Sequence, residues 1–152
     1  MSNNRSLSIY QREMMLYIAP KTVTKSYNVN YESPPEMIDV SAVPEDVGKA
    51  VLKALSRCRL AVDDPSQKAD IQAKKLGIPK VRNWNELQKC ISCIVCEYEN
   101  NLAIYSLVKK RGYSEFGEKF VVEVTNTADI GERVKQALAL YQPLISKKMK
   151  EI

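Results

Sequence analysis

Three of the four cysteines recur at every third residue, Cys90, Cys93 and Cys96, a spacing that could arm a metal or iron–sulfur site. The residues around them argue otherwise. The run Ile91-Ser92-Cys93-Ile94-Val95-Cys96-Glu97-Tyr98 is β-branched and apolar and predicts a strand. Strand side chains alternate faces, so Cys90 and Cys96 share one face and Cys93 takes the other. The three then cannot converge on one ion. No histidine exists to complete a zinc set, and there is no separate Cys-x-x-Cys pair. With Cys58, these thiols read as small core hydrophobes, reduced and metal-free.

The missing histidine removes more than zinc. His is the usual general base near neutral pH, so Ser–His, Cys–His and paired-His chemistries are all excluded. No phosphate-loop, G-x-G-x-x-G, G-x-S-x-G or H-E-x-x-H pattern occurs, and five glycines leave no obvious phosphate cradle. Lysine or carboxylate chemistry has no motif to support it. The sequence predicts no catalytic residue, no cofactor and no enzymatic activity.

At 152 residues, 45% hydrophobic and 27% charged, the chain predicts one globular domain with a core of its own. No stretch approaches the ~18 apolar residues of a membrane helix, and the first residues lack the apolar core of a secretory signal. A cytoplasmic location is the expectation. The net charge of +5 can signal nucleic acid, but part of the excess sits in Lys147, Lys148 and Lys150 near the end, where a solvated tail is the ordinary explanation.

The elements fall into two similar halves, about residues 5–58 and 83–142, each a set of strands followed by an amphipathic helix. In the first half, strands are predicted at 6–11, 14–19 and 36–40, with another across 22–31. Pro44 stands where a helix should begin, followed by Glu45 and Asp46, with Val47, Ala50, Val51, Ala54, Leu55 and Cys58 at helical spacing. In the second half, Asn83-Trp84-Asn85-Glu86 has capping-box spacing and opens a short helix. Strands at 91–98 and 102–109 make a hairpin around Asn100-Asn101, and 118–125 is a further strand. Thr127 is the expected N-cap of the last helix, whose stripe is Ile130, Val134, Ala137, Leu138 and Tyr141. Residues 60–80 form a long connector with a helix-prone stretch at 67–76. Residues 110–117 read as a shaped hairpin loop, in which Phe116 either folds onto the core or offers a contact.

The two long helices match. Asp46 to Leu55 aligns with Asp129 to Leu138, 83 residues on, and Asp, Gly, Val, Ala and Leu recur in register. Two amphipathic helices can share such a pattern by chance, but glycine inside a helix costs about 1 kcal/mol relative to alanine. Its recurrence at Gly48 and Gly131 favours an internal duplication, with each glycine expected to allow close approach of its helix to a sheet.

Taken together, Arg5-Ser6 with Tyr10, Tyr17-Ile18, the helix Glu45 to Ser56, Val81-Arg82-Asn83-Trp84-Asn85-Glu86-Leu87, the loop ending Phe116-Gly117, and Asp129-Ile130-Gly131 with Ala137-Leu138 give the chain its likeness. It resembles the immunity proteins of bacterial contact-dependent growth inhibition systems over nearly its whole length. Ser33-Pro34-Pro35 and the cysteine triplet lie outside that pattern. The resemblance implies an α+β fold similar to the Whirly domain: two antiparallel sheets packed face to face with two long helices, each half ending in a helix. It also implies a job, one-to-one binding and neutralisation of a cognate toxin domain, often an RNase that cuts tRNA.

An inhibitor of a nuclease should offer carboxylates and aromatic rings to a cationic cleft. The candidate contacts are Asp63, Asp64, Glu97, Glu99, Glu115 and Glu118, with Tyr98, Tyr105, Tyr113 and Phe116 as anchors and Arg111 beside them. Each acid taken singly also fits a solvated surface charge. The alternative is a single-stranded nucleic-acid-binding module, favoured by the charge and by eight tyrosines available for stacking. Against it, the cations do not interleave with the tyrosines.

Overall fold

A computed structural model of the chain describes residues 5–24, 29–31, 34–62 and 68–144. The elements are β1 (Ser6–Arg12), β2 (Met15–Pro20), β3 (Thr22–Thr24), β4 (Val29–Asn30), β5 (Glu36–Asp39), α1 (Pro44–Leu55), β6 (Arg59–Val62), α2 (Ala69–Lys75), α3 (Trp84–Leu87), β7 (Ile91–Tyr98), β8 (Asn101–Lys110), β9 (Tyr113–Glu123) and α4 (Thr127–Ala139).

The class is α+β, as expected. The strand sets join differently from the expected face-to-face pair of sheets. They form one six-stranded antiparallel sheet, β5-β2-β1-β7-β8-β9, with β1 of the first set hydrogen-bonded to β7 of the second from Ser6↔Cys96 to Gln11↔Ile91. A sandwich would need a second sheet over the apolar face. Here α1 and α4 occupy that face, and Val47, Val51, Leu55, Ile130, Val134 and Leu138 pack on Leu7, Ile9, Leu16, Ile18, Cys93, Val95, Leu102 and Ile104. The central position of β1 explains why Leu7, Ser8, Ile9 and Tyr10 are all buried, with no exposed alternate side. A small second sheet, β4-β3-β6, contains a parallel pair, β3 with β6. The expected strand across 22–31 is thus two short pieces, its middle lying outside the described residues. The connector contributes β6, a strand that polar Arg59 and the adjacent Asp63-Asp64 hide from pattern reading.

Both long helices begin and end close to expectation. Pro44 is the first residue of α1, with Glu45 and Asp46 in its first turn. The cap of α4 differs: Asn126, not Thr127, accepts from the Asp129 N–H at 3.2 Å, and the Thr127 hydroxyl donates to Glu45 Oε1 on the other helix at 2.6 Å. The glycines differ too. A Cβ on Gly48 would stand 1.9 Å from the Thr127 carbonyl oxygen, and one on Gly131 would stand 1.9 Å from the Pro44 carbonyl oxygen. The close approach is therefore helix to helix, not helix to sheet. It is reciprocal, because Pro44 and Thr127 are separated by the same 83 residues as the two glycines.

The cysteines sort as strand alternation requires. Cys93 lies in the helix-side core, while Cys90 belongs to the cluster on the opposite side of the sheet. Burial pushes all four thiols up from their ordinary value, Cys93 furthest.

Candidate binding surface

The sheet face away from α1 and α4 is covered over one half and bare over the other. On the first half, Tyr10, Tyr17 and Ala19 are sealed by Tyr31, just after β4, and by Ala73, Leu76, Ile78, Val81 and Leu87 from α2, α3 and their connection. Asn83 caps α3 as expected, accepting from the Glu86 N–H at 2.9 Å. The Glu86 carboxylate bonds the Arg82 N–H at 3.1 Å, which leaves the capping box half made.

No element of the described chain covers the outer part of the same face of β7, β8 and β9, around Tyr98, Tyr105, Phe116, Lys119 and Val121. Tyr98, Phe116 and Val121 are each about 60% exposed there. A groove of about 430 Å³ runs along this face, lined by Cys96, Tyr98, Ala103, Tyr105, Lys119 and Val121. Isolated exposed apolar residues are ordinary, but a contiguous group on one strand face marks an interaction site.

The local backbone explains the grouping. The expected loop at 110–117 is mostly strand. β8 runs to Lys110, β9 starts at Tyr113, and the turn is only Arg111-Gly112, with Gly112 at φ 82°. Between the Tyr105↔Lys119 and Leu107↔Phe116 pairs, Ser106 faces two residues, Gly117 and Glu118. This is a β-bulge. The Glu118 N–H donates to Ser106 Oγ at 2.8 Å, and a Cβ on Gly117 would meet that oxygen at 2.4 Å. The bulge returns Phe116 to the side of Tyr105. The two rings stack with centroids 4.3 Å apart at 24°, and the Lys119 amine stands 5.9 Å from the Tyr105 ring centroid.

The predicted contacts do not form one set. Tyr98, Tyr105 and Phe116 come together on the bare face. Glu115, paired with Val108, falls on the other side of the hairpin, and Glu118 sits at the bulge. Tyr113 and Arg111 are at the hairpin tip. Glu99 holds the left-handed position of the β7–β8 turn at φ 56°, so that turn is Glu99-Asn100 rather than Asn100-Asn101. Asp63 and Asp64 lie outside the described residues. Lys119 and Val121 were missed by sequence reading, and the available signal was Gly117 interrupting a strand pattern.

Glu97 is committed elsewhere. It accepts a two-pronged bond from Arg5, at 3.0 Å from Nε to Oε1 and 2.5 Å from the second prong to Oε2, while Arg5 also donates to the Leu55 carbonyl at 3.2 Å. The pair ties the start of β1 to β7 and to the end of α1. The Arg5 bond holds the Glu97 carboxyl below its ordinary 4.5. The unfolded chain therefore binds this proton more tightly, and the stability gained is full above that value and lost as pH falls through the folded pKa. The melting-temperature advantage of the parent over Glu97→Gln should be present at about pH 7 and smaller at about pH 3. An advantage unchanged between those two pH values would show that the ion pair is not its source.

No helix among the described residues is long and apolar enough to cross a membrane. No family model matches the chain, and no curated protein is similar to it in sequence. Solved structures are similar in fold. One is a protein of unknown function from Neisseria meningitidis, at 16% identity and a TM-score of 0.67, covering 92% of this chain and 96% of that one. Another is a chain of the CdiA-CT/CdiI toxin and immunity complex from Yersinia pseudotuberculosis, at 14% identity and a TM-score of 0.68, covering 93% of this chain and 99% of that one. At these identities the likeness establishes the shared fold.

Proposed function

We propose that this chain is an immunity protein that binds the C-terminal nuclease domain of a contact-dependent growth inhibition effector, one to one, and blocks its active site or its access to substrate. Support comes from the whole-length fold likeness to a chain of a toxin and immunity complex, joined to the sequence resemblance already described. The observation that carries the binding mode is the bare part of the sheet face, where Tyr98 and Tyr105 line an open groove and Phe116 stacks on Tyr105. Aromatic anchors of this kind dominate protein–protein affinity. No chemistry on the toxin is required, and the protein acts in the cytoplasm where the delivered nuclease would work.

The test is to co-express the chain with the C-terminal domain of the exoprotein encoded immediately upstream. A stable one-to-one complex and restored growth are expected. Failure to form a complex, or loss of toxin by turnover in place of stoichiometric inhibition, would overturn the proposal.

A second reading has one observation in its favour. The bare face offers rings and Lys119 together, as single-stranded nucleic-acid sites do. The hairpin from Lys109 to Glu123 interleaves its cations with Glu115, Glu118 and Glu123, however, and gives a phosphate chain no continuous positive path. Binding to oligonucleotides that weakens steeply with salt would favour this reading over the first.

A further inference from the structure

A crevice separates the α2–α3 segment from the turn end of the β8–β9 hairpin. Its chamber, lined largely by buried and half-buried side chains, has a volume of about 330 Å³, and an adjoining vestibule of about 770 Å³ shares Trp84, Gln88, Lys109 and Ser114 with it. The chamber lies at the small end of the range for ligand pockets, about 300–1,000 Å³.

Its lining has a one-sided charge. Among the described residues, the chamber contains Lys21 and Lys109 and no carboxylate. The Lys109 amine donates to Gln88 Oε1 and Ser114 Oγ, both at 2.9 Å, and both of these oxygens are neutral. Burial holds its pKa below the ordinary lysine value, as expected for a cation lacking a counter-ion. Ser92 supplies an independent sign. It lines the chamber at 2% exposure, and its Oγ has no hydrogen-bond partner among the described residues. Buried hydroxyls are ordinarily satisfied. The neighbouring hydroxyls are: Tyr31 donates to Ser8 Oγ at 2.9 Å, and Tyr10 and Tyr31 share a bond of 2.8 Å. One wall is flat and aromatic, with Tyr31 and Trp84 stacked 25° from parallel at 6.3 Å.

We infer that this chamber binds a small organic oxyanion, a carboxylate or phosphate monoester with a flat apolar body. The anionic end meets Lys109 and Ser92, and the body lies against Trp84 and Tyr31. The ligand supplies the counter-ion that Lys109 lacks and the partner that Ser92 lacks. The inference does not depend on the toxin-binding proposal, because it concerns the chain alone and a different part of the surface.

Trp84 is the sole tryptophan, so its fluorescence reports occupancy directly. The full chain is titrated with benzoate, phenyl phosphate, the neutral analogue benzamide, and inorganic phosphate. Benzoate or phenyl phosphate should give a saturable change with a Kd below about 1 mM, and whichever binds tighter assigns the carboxylate or phosphate chemistry. Benzamide and inorganic phosphate should bind at least about tenfold more weakly, lacking the charge and the flat body respectively. Lys109→Gln should weaken the anion about tenfold or more. Ser92→Ala should weaken it too while leaving the free chain as stable as before or more so, since an unpaired buried hydroxyl has been removed. Absence of saturation by either anion, or equal binding of benzamide, would overturn the inference. So would unchanged affinity in Ser92→Ala, which decides the matter even if Lys109→Gln does not fold.

Discussion

Gly48→Ala or Gly131→Ala should each lower the melting temperature by about 10 °C, and the double variant should fail to fold. Each added methyl would sit 1.9 Å from a carbonyl oxygen of the crossing helix, on backbone that has no rotamer to give. Relief requires α1 and α4 to separate along the contact that organises the helix layer. Overpacking costs about 1–3 kcal/mol where side chains can adjust, and the rigid backbone here places the cost at or above that upper end. For a chain of this length each kcal/mol is worth about 2–4 °C. Helix propensity pushes the other way by about 1 kcal/mol per glycine replaced, so any destabilisation observed is a lower bound on the clash. Thermal denaturation followed by circular dichroism gives the answer. Melting temperatures at or above that of the parent would mean the helices do not cross at these residues.

Truncating the two most exposed rings of the bare face, Tyr98→Ala with Phe116→Ala, should weaken toxin binding at least about 100-fold, the scale of two interface anchors lost together. Both residues are about 60% exposed, so the melting temperature should move little. Growth protection should fail in the same variant. Glu115→Lys with Glu118→Lys tests the other side of the hairpin and the bulge, where charge reversal should also weaken the complex. Should the aromatic variant protect as well as the parent, while substitutions on the far edge strand β5 abolish protection, the binding surface lies elsewhere.

Much of this architecture was legible from side-chain periodicity. Pro44 and the acids after it announced α1, and the stripe of α4 was read correctly from Ile130 to Leu138. Asn83 was recognised as a cap because a side-chain bond three residues on is a local event. Features that depend on distant partners were not readable in this way. Nothing within a strand states which neighbour it will pair with, so the joining of β1 to β7 could not be distinguished from two stacked sheets. The helix glycines stand out for their cost, yet the backbone they approach lies 79 positions from Gly48 (127 − 48) and 87 from Gly131 (131 − 44), on the other helix and not on the sheet. Asn126 displaced Thr127 as a cap because the threonine hydroxyl has a partner on the other helix. At the candidate surface, which predicted contacts share a face of the hairpin depends on one bulged residue, which sets Phe116 beside Tyr105 and Glu115 on the other side. A bulge shifts every later side chain by one face, and a pattern with a single glycine in it does not fix where that happens.

The seam between β1 and β7 has a kinetic consequence. Its paired residues lie 80 to 90 positions apart along the chain, whereas the hairpins β1–β2, β7–β8 and β8–β9 close over short turns. Loop-closure entropy makes such distant pairings slow to form, and topologies dominated by them fold on the longer end of the millisecond-to-second range. The hairpins can assemble early, but the α1–α4 crossing and the central strand pair depend on one another and on the two halves of the chain meeting. Until they do, the apolar sides of β1 and β7 are open to solvent and to other unfinished chains. A cell that needs this protein promptly after synthesis must therefore allow for the time taken to close its centre.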